Sequence, residues 1–179
     1  MLATPPDDLG NPIVALRDVE AFEQMPLAQR DLPASTYEAL ARGAAIAPDQ
    51  PALSFFLRAE DFQRPFVWTH RELFADITRA ANALRRLGIG RHDVVAFMLP
   101  NLPETHFVIW GGEAAGIAFA INPLLEAEQI SRLLVTGKAK WLVTLAPTPG
   151  ADIWQKAIRA AADVPSLQGI LTVSLAPSL

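Results

Sequence analysis

Residues 93–122 read DVVAFMLPNLPETHFVIWGGEAAGIAFAIN, and no other stretch limits the possible folds so tightly. Asp93 to Leu99 is a nearly unbroken apolar run with two adjacent valines. A run too short for a helix, and not alternating, suits a strand covered on both faces. Asn101 follows, with Glu104 three residues on. Asn caps free helical N–H groups, and an acid in the first turn suits the positive end of the helix dipole, so a helix is expected to start here with Asn101 as its cap. Pro103 fits the first turn, where its missing N–H costs nothing. Phe107, Trp110, Ala114 and Ile117 then recur at helical spacing, and Ala118 to Ile121 resumes the strand pattern until Asn122-Pro123. The result is a βαβ unit, which predicts a parallel sheet with a right-handed crossover.

The flanking chain extends this pattern. Residues 1–34 are rich in proline and read as an arm, with one short helix expected near Leu16 to Gln24. Ser35 and Glu38 form a capping box for a helix with Tyr37, Leu40, Ala41, Ala44 and Ala45 on one face, stopped at Pro48. Pro51 to Leu57 and Pro65 to Trp68 are β-type runs around a charged loop, Arg58 to Arg64, and read as a hairpin or two edge strands. Thr69 and Glu72 form a second capping box. The helix after it carries Leu73, Phe74, Ile77, Ala80, Ala81, Leu84 and Leu87 on one stripe, and Gly88 stops it. Beyond the central unit, a helix over about 126–136 buries Ile130, Leu133 and Leu134 and ends at Gly137. Trp141 to Leu145 is the next strand. Asp152 caps a helix burying Ile153, Ala157, Ile158 and Ala161, and Gly169 to Leu175 is the last strand. Strands that alternate with helices in this way indicate an α/β fold: a doubly wound, mostly parallel sheet flanked by helices, with an N-terminal arm (1–34), a short β-hairpin, and an α/β portion over 35–179.

Composition excludes several functions. Hydrophobic residues make up 51% of the chain, too many for general disorder. The net charge is −4 and there is no Lys/Arg run, so nucleic acid and anionic membrane are poor partners. No apolar run approaches the roughly 20 residues of a transmembrane helix. The absence of cysteine excludes disulfides and thiolate metal sites and fits a cytoplasmic location. Asp7, Asp8, Asp18 and Glu20 stand where a secretory signal would need an apolar segment, so none is expected.

Candidate sites are few. Gly88 and Gly90 have phosphate-loop spacing, but a dinucleotide loop follows a strand and opens a helix, and here the order is reversed. A helix stop and a turn account for both. Gly111, Gly112 and Gly116 imply close approach of another backbone, since glycine in a helix costs about 1 kcal/mol against alanine. Tight packing is the first reading, and a ligand lying on that face is the second. Asn101 and Glu104 fall at the carboxyl end of a parallel strand, where open α/β sheets bind ligands, so capping and ligand contact are both open. His70, His92 and His106 lie in three segments without the spacing of a zinc site. There is no G-x-S-x-G nucleophile elbow. The only lysines, Lys138, Lys140 and Lys156, follow no Gly/Ser/Thr-rich stretch that would cradle a nucleotide phosphate.

Five stretches carry a resemblance. Trp68-Thr69-His70-Arg71-Glu72-Leu73 resembles the T-Y-x-E-L helix start of AMP-forming acyl-CoA synthetases, members of the adenylate-forming superfamily. Gly88-Ile89-Gly90 with Asp93-Val94-Val95-Ala96 resembles their LGIgxGDvVa stretch, and Leu99 to Glu104 their PNxPE turn. Gly112 to Pro123 resembles aaxxaGavxxpiNP. Glu128, Leu133-Leu134 and Ala139-Lys140 resemble the eEl…L…sxAk segment that follows. Together they cover about Ser35 to Val173 in the family's order, with wording most similar to bacterial acyl-CoA synthetases.

The resemblance implies a parent enzyme that joins a carboxylic acid to CoA through an acyl-adenylate, using ATP, Mg2+ and CoA and releasing AMP and pyrophosphate. The groups that do this in the family lie downstream of the matched region: the Ser/Thr/Gly-rich loop ending in Pro-Lys, the aromatic-Thr-Glu motif, the ribose-binding Asp and the C-terminal catalytic Lys. No catalytic, cofactor-binding or metal-binding residue is therefore carried onto this chain. The expectation is an N-terminal scaffold fragment of the large domain, inactive alone, whose partner is the remainder of its own synthetase chain. Open strand edges and uncovered apolar surface would favour self-association. The alternatives are a stand-alone binding or assembly module, or a fragment of another adenylating branch.

Overall fold

The computed structural model describes residues 13–175; the ends of the expected arm and of the last strand's tail, 1–12 and 176–179, lie outside the described residues. In chain order the elements are α1 (Leu16–Glu23), α2 (Thr36–Ile46), β1 (Pro51–Phe55), β2 (Phe66–Thr69), α3 (His70–Arg86), β3 (Val94–Met98), α4 (Pro103–Ala115), β4 (Ile117–Ala120), α5 (Ala127–Thr136), β5 (Ala139–Leu145), α6 (Ile153–Ala161) and β6 (Gly169–Val173). Strands β1 and β2 form a two-stranded antiparallel sheet, with Phe55 opposite Phe66 and Leu53 opposite Trp68. The other strands form a four-stranded, all-parallel sheet of order β4-β3-β5-β6. The chain winds outward from β3 to β4, then crosses back over β3 to β5, which makes the sheet doubly wound.

The uninterrupted apolar run of β3 follows from this position. Val95 and Phe97 face a core with Leu84, Ile89, Leu99, Ala115 and Val143 beneath α3 and α4. Ala96 and Met98 face the opposite core, with Ile130, Leu134, Leu142, Ala157 and Ala160 beneath α5 and α6. Val95, Ala96 and Met98 are fully buried. A strand with both faces covered reads as a near-continuous apolar run.

Helix α4 departs from the sequence expectation at its start. Its N-cap is Leu102, not Asn101, which stays exposed. Pro103 occupies the first helical position, and a residue before proline is pushed out of helical conformation, so the extended residue at the boundary must be Leu102. The capping oxygen comes from Thr105: its hydroxyl accepts from Leu102 N–H (3.3 Å) and donates to Pro100 C=O (2.6 Å). The buried face also differs. Pro103, Thr105, Gly111, Gly112 and Ala115 are buried, whereas Phe107, Trp110 and Ala114 are half-buried and Ile117 has passed into β4, 45% exposed. The helix is wedged between α3 and the sheet, so its smallest residues occupy the closest approach. A Cβ on Gly111 would lie 2.8 Å from Ala80 Cβ and 3.0 Å from Ile77 C=O. One on Gly112 would lie 3.2 Å from Ala118 Cβ, and one on Gly116 2.6 Å from Asp93 C=O. Close packing accounts for all three glycines.

The other helix signals hold with local adjustments. Thr69 and Glu72 close their capping box reciprocally (3.3 and 2.9 Å), and Gly88 ends α3 at φ +80°. Ser35 accepts from Glu38 N–H (3.1 Å), but the Glu38 carboxylate reaches Ala34 N–H (2.7 Å) rather than Ser35, while Arg42 holds its other oxygen (2.8 Å). Ala45 is exposed. On α5, Ile130 and Leu134 are buried and Leu133 lies at the rim, 36% exposed. The left-handed residue after α5 is Lys138 (φ 51°), not Gly137; the Phe119 ring, 2.9 Å from where a Gly137 Cβ would be, explains that glycine. On α6 the buried positions are Ala157 and Ala160, leaving Ile158 exposed, and the Asp152 carboxylate makes no capping bond because it pairs with Lys156 (3.1 Å).

Two stability outcomes are expected in urea melts of the chain. Gly111→Ala destabilises by about 1–3 kcal/mol, because overpacking against Ala80 and Ile77 exceeds the roughly 1 kcal/mol of helix propensity gained. Thr144→Val stabilises by about 1 kcal/mol, because the Thr144 hydroxyl is fully buried between Met98 and Thr172 without a hydrogen-bond partner.

Candidate functional site

The sequence points first to the carboxyl ends of the parallel strands. The winding direction changes between β3 and β5, and in open α/β sheets that is where ligands sit. Asn101 and Glu104 are there, Asn101 exposed and Glu104 half-buried in the first turn of α4. Among the described residues, no hydrogen bond or ion pair joins the two side chains or ties them to a neighbour, so the structure does not bring them together as a binding pair.

A polar cluster lies at the opposite end of the sheet. The Lys140 ammonium, at the start of β5, donates to Gly88 C=O (2.6 Å) and to the Asp93 carboxylate (2.9 Å). Gly90 N–H donates to the same Asp93 oxygen (2.8 Å), and the Trp141 indole donates to Leu87 C=O (3.2 Å). These bonds stitch the turn between α3 and β3 to the first residues of β5. The Gly90 N–H, and after it the Lys140 ammonium, hold the Asp93 carboxyl below the ordinary carboxylate range. Both charges are engaged with protein groups, so the cluster is a staple. The sequence reading noted Gly88, Gly90 and Lys140 separately and missed their union. The available signal was the opposite charges placed at the starts of two strands that the fold sets side by side, with Val94 opposite Ala139.

A cleft of about 520 Å³ opens on the far side of α3 and α4, beneath the N-terminus of α2. Its polar lining includes Ser35, Tyr37, Thr78, Asn82, Arg85 and Glu113. Thr78 spends its proton on Phe74 C=O (2.8 Å), so the Tyr37 hydroxyl donates to Thr78 (2.8 Å). Arg85 donates to Ala114 C=O at the end of α4 (3.0 Å). The Tyr37–Thr78 and Arg85–Ala114 bonds fasten α2 to α3 and α3 to α4. His70, His92 and His106 remain on separate elements, and among the described residues no group of three or more His, Cys, Asp or Glu is placed to hold a metal ion. Lys156 is occupied by Asp152 and lies 3.5 Å from Pro123 C=O.

The staple makes acid stability testable. Because the Asp93 pKa is lower in the folded chain, its contribution is present above the unfolded carboxylate value and disappears as the pH falls through the folded one, below about pH 4. Asp93→Asn is expected to lower the urea midpoint at pH 7 and to make the midpoint fall less steeply between about pH 5 and 2 than in the parent. Lys140→Met is expected to lower the neutral midpoint in the same way.

The AMP-binding enzyme family matches residues 40–178. Marinolic acid–CoA ligase of Pseudoalteromonas sp. (strain SANK 73390) is 32% identical over 145 residues, covering 80% of this chain and 22% of that protein. The inhibitor-bound N-terminal domain of FACL13 from Mycobacterium tuberculosis superposes with a TM-score of 0.60 at 27% identity, over 75% of this chain and 32% of that one. The anthranilate CoA ligase AuaEII, in complex with anthranoyl-AMP, shares the fold at 20% identity, with a TM-score of 0.66 over 83% of this chain and 27% of that one. This chain thus spans about a fifth of the marinolic acid ligase and a third of the FACL13 domain. With five motifs in register, a doubly wound parallel sheet and a family match over most of its length, the chain belongs to the AMP-binding enzyme family.

Proposed function

We propose that this chain is the N-terminal scaffold portion of an ATP-dependent, AMP-forming acyl-CoA ligase, and that it does no chemistry alone. The match of residues 40–178 to the AMP-binding enzyme family carries this reading. The ligase names of the relatives support the CoA-ligase branch, and the small share of each relative that the chain spans supports the fragment assignment. The parent uses Mg2+ and ATP to convert a carboxylic acid to an acyl-adenylate and passes the acyl group to CoA. A relative named as a long-chain-fatty-acid–CoA ligase favours a place in fatty-acid metabolism, and the absence of cysteine fits the cytoplasm. Residues 1–34 act as an arm and 35–179 as the incomplete α/β portion of the large domain.

The described residues do not themselves fit the cofactors. A magnesium-nucleotide site needs carboxylates around the metal and donors around the phosphates. Here no acidic cluster is placed for a metal, the Gly88–Gly90 turn opens a strand rather than a helix, and Lys140 and Lys156 are held in ion pairs. No step of adenylation is therefore assigned to any of the described residues. Its contribution is the sheet and the helix layers on which the nucleotide and acid sites are built. Alone, the chain self-associates through its uncovered apolar surface.

The test is carboxylate-dependent exchange of pyrophosphate into ATP. The purified 179-residue chain is expected to give no exchange above a protein-free control with aliphatic or aromatic acids. Exchange by the pure chain would refute the scaffold assignment.

A further inference from the structure

The chain has three lysines, and the fold treats them unequally. The Lys140 side chain, 22% exposed, donates to Gly88 C=O (2.6 Å) and to the Asp93 carboxylate (2.9 Å). The Lys156 side chain, 18% exposed, is held by the Asp152 carboxylate (3.1 Å). Lys138 is exposed, and among the described residues its ammonium has neither a hydrogen-bond acceptor nor an ion-pair partner.

The turn between α5 and β5 sets this difference. Lys138 N–H donates to Val135 C=O (3.1 Å), and the residue takes a left-handed conformation (φ 51°) directly before β5. Its backbone is thus anchored while its side chain meets solvent. The last turn of α5 carries no acid, and Glu128, further back on the helix, is already paired with Arg132 (2.5 Å). A lysine attacks a carbonyl only through an unprotonated, unengaged nitrogen. Lys140 and Lys156 must first break their contacts, and acylating Lys140 would remove the charge that closes the Asp93 staple. Acylating Lys138 removes no contact among the described residues.

The reading above makes the parent a source of acyl thioesters. Resting on that reading for the donor, we infer that Lys138 is an acyl-acceptor site of this chain, modified by an acyl-CoA thioester. The Lys138 nitrogen, as the free amine, adds to the thioester carbonyl carbon. The carbon–sulfur bond breaks, CoA departs as the thiolate and takes up the proton lost from nitrogen, and an amide remains. The modified side chain carries no charge.

The test incubates the purified 179-residue chain with acetyl-CoA at mildly alkaline pH and follows each lysine by peptide mass spectrometry. The initial rate at Lys138 is expected to exceed that at Lys140 by about tenfold, and that at Lys156 severalfold, because each of those two must release charged hydrogen bonds. Equal rates at the three lysines, a faster Lys140 or Lys156, or no acetylation at Lys138 overturns the inference. In urea the three rates are expected to converge. A preference of the same size in the unfolded chain would place its source in the local sequence and defeat the site. Lys138→Arg is expected to remove the main acetylated peptide and leave the melting temperature unchanged; a fall of several degrees would show that the side chain is a structural tie and count against the inference. The acyl donor is added rather than made, so the two proposals fail separately. Pyrophosphate exchange by the pure chain defeats the scaffold assignment without touching the Lys138 rate, and an unreactive Lys138 leaves the ligase assignment standing.

Discussion

The molecule depends on the burial of β3 on both faces. One strand contributes alternate residues to two cores, so each face must be roofed by helices before the strand is stable. Val95 and Phe97 need α3 and α4, and Ala96 and Met98 need α5 and α6. A chain that leaves β3 in one direction and returns across it on the other supplies both roofs with short connections, and the parallel order β4-β3-β5-β6 results. Fully burying a side chain such as Met98 is worth about 1.5–3 kcal/mol, a large amount beside a net stability of order 5–15 kcal/mol.

The roof on the α3/α4 side is held close by missing side chains. Gly111 lets α4 touch α3 at Ala80, and Gly112 lets it touch β4 at Ala118. At the end of the same helix, Gly116 lies against the carbonyls of Asp93 and Gly90, at the corner that Lys140 also grips. Helix packing, strand start and ion pair thus meet at one corner, and a change at any of them is felt by the others.

Much of this was legible in the amino-acid order. Signals that act within a few residues were dependable: the Thr69/Glu72 box, the Gly88 stop, and the run of Asp93 to Leu99 as a buried strand. The misreadings arose where a neighbour settled the matter. Pro103 moved the cap from Asn101 to Leu102, and Lys156 drew Asp152 away from the α6 backbone. Hydrophobicity alone placed Phe107 and Trp110 at the centre of α4, but the space beside α3 admits only small residues. The Lys140–Asp93 pair was invisible because it joins positions 47 residues apart, and strand order, not local pattern, brings them together. The cleft under α2 had no local signature for the same reason.

The staple also has a directional meaning. It fixes the amino ends of β3 and β5, the side of the sheet away from the connections at 99–102, 121–126 and 146–152. Those connections leave from the free rims of strands whose roots are already anchored. Their exposed positions, such as Asn101, Leu124 and Pro149, can change without disturbing how the strands align, while Leu99, Leu102 and Ile121 stay in the core. A framework tethered at its base in this way lets descendants exchange the tips of their loops for different chemistry while keeping one inherited platform.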